Sequence, residues 1–445
     1  MKKIVLMLIA VSMVFITACS SSTDRNSTLS EKSRSEKKSG NEKKTIVFST
    51  AFSDEFFKVA KQRYEAKHPH ITIELTDVET SDAEMETALE KHVKTTGTAM
   101  MSGKGPDLLE LDQLPAGDYV KKQLLANIGD MIEQDPTFKK EHYFGNILDG
   151  MKSNGGIFGL PLGFFVYGLV GNEMIINNSG VKIDDTNWTW GKFASISKEI
   201  SNKSGKTVLY SLPEEMTRQL VNDQFASFVD QQNRKVNFDS DQFIQLLIDV
   251  KSMFDEKVIV RIDEPATEPI FTEVNITSPE YYMRELKQSV DNKLYSRPTS
   301  NGQSPGGFFR TYKTLGINAN SDVKEEAWDF VKFMMSEEMQ DQIKGAGFPL
   351  NKSSYDKVVK DVLAKGKVES DQPIGPLKGK VYEITKREME DLEKYIFAAK
   401  YPVQYNPSKI DNIILEESKA YFAGQKSPEA VAKLIHNKVT TIINE

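Results

Sequence analysis

The amino-acid sequence predicts an α/β fold of two domains that are joined by crossing strands, and three observations carry this prediction. An apolar strand, an amphipathic helix and a second strand follow one another at residues 45–75, which is how a parallel α/β sheet begins. Roughly 400 residues follow the N-terminal 44, and a chain of this length usually folds around two hydrophobic cores and not a single one. The third observation is an uncharged, glycine-rich stretch at 155–172, where the chain can cross between the two domains.

The N-terminus has the pattern of an export signal. Two lysines precede an apolar run at residues 4–16 that is too short to span a bilayer. The sequence Ile-Thr-Ala-Cys at 16–19 resembles the bacterial lipobox, in which the cysteine receives a diacylglyceryl group and becomes the new N-terminus. Residues 1–18 are therefore predicted to be a lipoprotein signal peptide, and Cys19 the lipidated residue. Because Cys19 is the only cysteine, the sequence excludes an intramolecular disulfide.

The lipidated cysteine and the residues that follow it, 19–44, are predicted to form a disordered tether. Residues 20–44 contain a single large aliphatic residue and carry a net charge of +3, which suits an anionic membrane surface, although the lysines are equally consistent with a solubilising role. The whole chain carries −7, and because residues 1–44 carry +5, the remaining body carries −12. An acidic body argues against nucleic acid as a partner, since nucleic acid is bound through Lys and Arg.

Two predicted loops are candidates for ligand binding because they follow the carboxyl ends of predicted strands. The first strand ends before Phe52 and Ser53, and Ser53 is expected to cap the next helix. A short strand at 108–111 ends before Asp112 and Gln113. Ligands of parallel α/β sheets bind beyond such strand ends. For Asp112 and Gln113, ordinary helix capping remains an equal alternative.

The glycine-rich stretch at 155–172 contains six glycines. Its apolar and small residues alternate as in a strand, but repeated glycines weaken a plain strand because glycine packs no side chain. We interpret the stretch as a hinge crossing with Phe164, Phe165 and Tyr167 near a cleft; an interior strand without a functional role is the alternative. Residues 265–305 are predicted to be rich in turns, before a return crossing.

The sequence contains no clear catalytic constellation. The five histidines are scattered without metal-ligand spacing. Glu110 and Asp112 would point the same way on a strand and could form a glycosidase pair, although acidic residues are abundant enough to place such pairs by chance. The sequence therefore predicts no enzyme, no cofactor and no metal site.

Four stretches resemble, in the same order, the extracellular solute-binding proteins of family 1, the lipoprotein receptors of carbohydrate ABC importers. They are GKGPDLLELDQLPAGDYVKKQLLANI (103–128), GGIFGLPLGFFVYGLVGNEMI (155–175), KEEAWDFVKFMMSEEMQDQIKGAGFPLNKS (324–353) and AYFAGQKSPEAVAKLIHNKVTTIINE (420–445). The resemblance implies a two-lobed periplasmic-binding-protein-like fold of type II, whose lobes are joined by hinge strands and close on a sugar. The implied limits are 45–163 with 317–348 for the N-terminal lobe, 164–310 with 349–445 for the C-terminal lobe, and hinges near 155–172 and 308–316.

The resemblance also implies where the ligand and the partners are. The family's ligand positions fall on Phe52, Ser53, Asp112, Gln113, Phe164, Phe165, Tyr167, Phe308 and Phe309. The expected partners are a small-molecule solute, which in this family is a carbohydrate, and the transmembrane permease subunits. The third expected partner is the cell membrane, because the lipid anchor would hold the protein at the extracellular face. With three tryptophans available for stacking, a small or non-sugar solute stays open. The alternative functions are a secreted lipoprotein enzyme acting on glycans and a ligand-sensing lipoprotein subunit.

Overall fold

The computed structural model of the protein describes residues 42–52, 54–78, 84–230, 233–263, 268–287, 292–300, 302–343, 347–371, 373–375, 377–403 and 409–444. Ser53, Cys19, the predicted signal peptide and nearly all of the predicted tether lie outside the described residues. Residues 43–445 form one structural unit, and the account below concerns that unit alone.

The strands, in chain order, are β1 (Lys44–Ser49), β2 (Ile71–Thr76), β3 (Leu108–Glu110), β4 (Leu160–Asn172), β5 (Leu209–Ser211), β6 (Val229–Asp230), β7 (Lys235–Val236), β8 (Ile259–Arg261), β9 (Phe271–Ile276), β10 (Asn292–Ser296), β11 (Gly307–Ile317), β12 (Phe348–Pro349), β13 (Lys367–Glu369), β14 (Val381–Glu383) and β15 (Ala399–Pro402).

The helices are α1 (Glu55–Lys67), α2 (Met85–Met101), α3 (Ala116–Lys121), α4 (Ile128–Gln134), α5 (Gly145–Gly150), α6 (Glu173–Ser179), α7 (Trp190–Ser204), α8 (Pro213–Asp223), α9 (Phe225–Phe228), α10 (Asp241–Asp255), α11 (Pro279–Lys287), α12 (Lys324–Met335), α13 (Glu337–Gln340), α14 (Lys352–Lys365), α15 (Lys386–Phe397), α16 (Lys409–Phe422) and α17 (Pro428–Asn444). Among the described residues, none of these helices is long and apolar enough to cross a membrane.

The main sheet joins nine of the described strands. Its central order is β10-β4-β11-β3-β1-β2, with β9 and β12 also pairing with β4, and β15 pairing with β11. Strand β1 is parallel to both β2 and β3, which confirms the predicted strand–helix–strand start of the fold. Strand β11 runs antiparallel to β3 and to β4. Both predicted crossings are therefore strands, and they are each other's neighbours in the centre of the sheet.

The buried side chains form two large hydrophobic cores. We call the cluster around Phe48, Phe164 and Phe330 the first core; it packs the sheet against helices that include α1, α12, α14 and α15. The second core surrounds Trp188 and Phe243, and joins α7, α8, α10, α16 and α17. Helices α14 and α15 pack in the first core, although the predicted C-terminal lobe contains their residues. The lobe limits stay a prediction.

Two local expectations were wrong. The N-cap of α1 is Asp54, whose side chain accepts the amide hydrogen of Phe56 at 2.8 Å, and not Ser53. The region 265–305 is not mainly turns, because it contains β9, α11 and β10. The first crossing strand begins at Leu160, five residues after the start of the glycine-rich stretch.

Replacing Gly171 by Ala should destabilise the protein. A Cβ atom there would lie 2.7 Å from a ring carbon of Tyr295 and 2.8 Å from a ring carbon of Phe271, and both rings are almost fully buried. Overpacking of this kind costs about 1–3 kcal/mol of unfolding free energy, which urea denaturation measures. Gly145→Ala is the matched control, since its Cβ meets no atom within 4 Å. Equal midpoints for the two variants would contradict the expectation.

Candidate functional site

The pairing of β4 with β11 decides which predicted residues can reach a ligand. Phe165 lies opposite Arg310, and Tyr167 lies opposite Phe308. Because side chains alternate along a strand, these residues share one face of the pair, and Phe164 occupies the other. Phe164 is fully buried against Phe144 and Phe348. The Phe164 side chain therefore has no surface open to a ligand in this structure.

Phe309 shares the buried face with Phe164, because it lies opposite Val166 and belongs to the first core. Its side chain has no accessible surface. Phe308 is on the opposite face but is also fully buried, because the Arg297 guanidinium lies 4.6 Å from the centre of its ring. Neither of these two predicted site residues has surface open to a ligand in this structure.

Four side chains on the other face form what we call the ribbon face: Phe165, Tyr167, Arg310 and Tyr312. Within β4 only Tyr167 is partly exposed, and within β11 only residues 310–312 are. The Arg310 guanidinium lies 5.3 Å from the centre of the Phe165 ring, whose centre is 5.6 Å from that of Tyr312. The ribbon face thus combines aromatic surface with a guanidinium where two otherwise buried strands meet solvent.

The loop after β1, residues 50–54, lies close to the crossing strand β11. The Thr50 hydroxyl donates to the Phe52 carbonyl at 3.1 Å, and Phe52 itself is 39% exposed. Asp54 begins α1 and forms an ion pair with the Lys313 ammonium group. Ser53, between them, lies outside the described residues. The loop and the crossing strand β11 are therefore linked directly by a charge pair.

Glu110, at the end of β3, is almost fully buried beside this loop. Its carboxylate accepts the amide hydrogen of Ala51 at 3.3 Å. Burial, followed by the charge of Asp112, raises the pKa of Glu110 to about 7, although Lys313 acts in the opposite direction. Glu110 is therefore close to half-protonated at neutral pH and can both donate and accept hydrogen bonds.

Asp112 supports the crossing strand. Its two carboxylate oxygens accept the amide hydrogens of Lys313 at 2.7 Å and of Thr314 at 3.2 Å. Burial raises the pKa of Asp112, and the hydrogen bonds from Thr314 and Lys313 offset part of that rise. Gln113 follows at a partly exposed position. Asp112 thus supports the site through the backbone of β11.

Lys313 is a site residue that the sequence analysis missed, as it missed Arg310 and Tyr312. It is buried in the middle of β11 with a left-handed backbone (φ 51°), which non-glycine residues rarely adopt. Its ammonium group lies 4.9 Å from the centre of the Phe57 ring and 4.6 Å from that of Tyr312. Burial lowers the pKa of Lys313, but the bond to Asp54 outweighs it and the net shift is upward. The sequence did contain a signal for this residue, because Arg310 and Lys313 are the two charged residues of the otherwise uncharged crossing strand β11.

These residues can bind but are poorly arranged for hydrolysis. The four groups Asp54, Glu110, Asp112 and Lys313, which we call the charged cluster, hold one another and the backbone in place. In the predicted glycosidase pair, both oxygens of Asp112 accept backbone amides and Glu110 accepts that of Ala51, so the backbone already engages both carboxylates. Within the described part of the chain, no three His, Cys, Asp or Glu side chains could hold a metal ion.

Comparison with known proteins agrees with this architecture. The chain matches the profile of the family described as bacterial extracellular solute-binding protein over residues 51–341, well over half of its length. A periplasmic oligogalacturonide binding protein from Yersinia enterocolitica has a TM-score of 0.62 at 15% identity, covering 90% of this chain and 99% of that one. The sugar-binding protein MalE from Xanthomonas citri has a TM-score of 0.60 at 15% identity, covering 90% and 98%.

A lactose-binding protein from Rhizobium radiobacter is 27% identical over 161 residues, which are 36% of this chain and 35% of that protein. The match therefore spans about a third of that relative's length. The structural likenesses confirm the predicted α/β fold of two lobes joined by hinge strands. The family profile confirms the resemblance on which the sequence analysis relied.

The wild-type protein should lose stability as the pH rises, because Glu110 ionises, and replacing Glu110 by Gln should abolish this loss. Because the pKa of Glu110 is raised from 4.5 to about 7, the folded protein retains a proton that the unfolded chain releases. This group favours folding below pH 4.5, and its contribution is lost as the pH rises through 7. Relative to the wild type, Glu110→Gln should therefore gain about 3 kcal/mol of unfolding free energy between pH 4.5 and about 8.

Urea denaturation at several pH values measures this difference. Glu133→Gln, at an exposed position, is the control and should follow the wild type throughout. Parallel pH profiles for Glu110→Gln and the wild type would show that Glu110 does not titrate as its surroundings indicate.

Proposed function

Because the chain belongs to the family of bacterial extracellular solute-binding proteins, we propose that it is the carbohydrate receptor of an ABC importer. In this proposal the protein is anchored at the outer face of the cell membrane through lipidated Cys19. It captures a sugar or oligosaccharide between its two lobes and delivers it to the transmembrane permease subunits. The chain itself performs no chemistry on the solute.

The ribbon face is the observation that carries this proposal. Sugars present apolar ring faces that pack on aromatic surfaces, and hydroxyl groups that need polar or charged partners. Phe165, Tyr167 and Tyr312 supply aromatic surface, and Arg310 supplies a planar donor beside it. The face also includes side chains of both crossing strands, β4 and β11, so a ligand held there can contact both crossings.

We propose that the ligand contacts are the ribbon face together with Phe52, Glu110 and Gln113, with Ser53 retained from the sequence analysis. Asp112 and Lys313 act one step behind them, by holding β11 in position. The names of the relatives point to the solute class, since one binds lactose and another binds oligogalacturonides. A carbohydrate is therefore the first solute to test.

Tyr312→Ala should weaken carbohydrate binding by roughly tenfold or more, because it removes a ring from the proposed stacking surface. A thermal-shift panel that includes lactose and oligogalacturonides first identifies a binding sugar, since a ligand bound only by the folded protein raises its melting temperature. Calorimetric titration of that sugar then compares the variants. Phe397→Ala is the matched control, because it removes a 45% exposed ring that lies on α15, outside the ribbon face.

The panel and the titration also separate the alternative functions. Release of a cleaved product during titration would favour the secreted glycan enzyme. An equal loss of affinity in Phe397→Ala would remove Tyr312 from the site. A panel in which no carbohydrate raises the melting temperature would contradict a carbohydrate receptor.

Cys19→Ser should abolish membrane association, because it removes the atom that would carry the lipid. Partition into a detergent phase measures this, with Ser20→Ala as the control that keeps the cysteine. We expect the control to enter the detergent phase as the wild type does, and Cys19→Ser to leave it. Unchanged partition of Cys19→Ser would contradict the lipid anchor while leaving the carbohydrate site untouched.

A further inference from the structure

Strand β4 exchanges one neighbour for another at Tyr167 and Gly168. Residues 160–167 of β4 pair with β11, and residues 168–172 pair with β10. Strand β9 pairs with residues 166–171, across the exchange, and therefore occupies the opposite edge of β4 throughout. Both cores reach β4 around this point, because Val166 and Val170 belong to the first core and Leu169 belongs to the second. We call this point the strand junction.

One hydroxyl group bonds both strands at the junction. The Tyr395 hydroxyl is 2.6 Å from the carbonyl oxygen of Tyr167 in β4 and 3.2 Å from that of Tyr295 in β10. Burial, and then the charge of Asp185, raises the pKa of Tyr395, so this hydroxyl stays protonated as a donor. The single hydrogen of this hydroxyl is shared between a carbonyl group of β4 and a carbonyl group of β10, which are adjacent strands in the sheet.

Gly168 makes this approach possible. A Cβ atom at Gly168 would lie 2.5 Å from the Tyr395 hydroxyl oxygen and 2.9 Å from the Tyr295 carbonyl oxygen, and both distances are too short for any side chain. The absence of a side chain at Gly168 therefore allows the Tyr395 hydroxyl to approach the backbone at the junction.

Tyr395 is carried by an element that is fixed to the first core. Leu392 and Ile396 of α15 are fully buried there. The Asn146 amide of α5 donates to the carbonyl groups of Ile396 and Ala399, both at 2.9 Å. Tyr295, in contrast, packs in the second core. The hydroxyl therefore ties a first-core helix to the backbone of a second-core residue.

We propose that Tyr395 is a positioning residue for ligand binding, which rests on the function proposed above. Its hydroxyl sets the angle at which β4 leaves β11 and enters β10, and it holds the backbone of Tyr167, a member of the ribbon face. Without the hydroxyl, the junction samples more arrangements, and the ligand has to order it on binding. Tyr395→Phe should then lower carbohydrate affinity by roughly two- to tenfold, the range expected for one hydrogen bond.

The experiment compares Tyr395→Phe with Tyr355→Phe in the full-length protein. Tyr355 is also a buried first-core tyrosine, but its hydroxyl has no hydrogen-bond partner among the described residues, and so its removal breaks no bond. Hydrogen–deuterium exchange of the ligand-free protein reports on peptides that cover β4 and β10. We expect faster exchange at the junction in Tyr395→Phe alone, with exchange elsewhere unchanged.

Titration with lactose and with oligogalacturonide provides the second measurement. A local rise in exchange together with a loss of affinity supports the proposal. Unchanged exchange at the junction, a uniform rise over the whole protein, or unchanged affinity despite local loosening overturns it. If neither sugar binds the wild type and the wider panel also fails, the carbohydrate function falls, and with it the positioning role. Exchange at the junction still decides separately whether the hydroxyl holds the two strands.

Discussion

The antiparallel pairing of β4 with β11 is the constraint on which the rest of the structure depends. Both strands lie in the centre of the main sheet, and the register that sets Phe165 opposite Arg310 assigns every side chain to one of two faces. One face completes the first core through Phe164 and Phe309, and the other reaches solvent at the ribbon face. A shift of one residue would exchange the two faces, burying a guanidinium and exposing two phenyl rings. The core and the proposed site therefore depend on the same set of backbone hydrogen bonds.

Lys313 shows how the site end of this pairing is stabilised. A left-handed backbone costs a non-glycine residue about 1–2 kcal/mol, and a buried ammonium group without a partner would cost more. Asp112 offsets the first cost by accepting two consecutive backbone amides of β11, and Asp54 offsets the second by pairing with the side chain. The buried Arg297–Asp223 pair, with nitrogen–oxygen distances of 3.0 and 2.7 Å, covers Phe308 at the other end of the strand. Charge pairs thus lie on both sides of residues 310–312, the part of β11 that is open to a ligand.

Local patterns in the sequence predicted the elements well, because strand alternation, helical stripes and the glycine-rich crossing depend on neighbouring residues. The candidate loops were predicted for a related reason: Phe52, Asp112 and Gln113 follow strand ends, and parallel strands end at one edge of a sheet. The register could not be predicted, since it depends on residues about 150 positions apart. Phe164 and Phe165 were both chosen, although alternation allows only one of them on each face. Lys313 was missed because its partners, Asp54 and Asp112, approach it only in the folded chain.

The glycines of β4 have a different role from the one that the sequence suggested. Gly163, Gly168 and Gly171 all have a backbone that other residues can adopt, so conformational freedom is not the reason for glycine at these positions. A Cβ atom at each would instead meet, at 3.0 Å or less, the Phe348 carbonyl oxygen, the Tyr395 hydroxyl or the Tyr295 ring. Their common function is to let neighbouring groups pack closely against β4, where a methyl group would not fit.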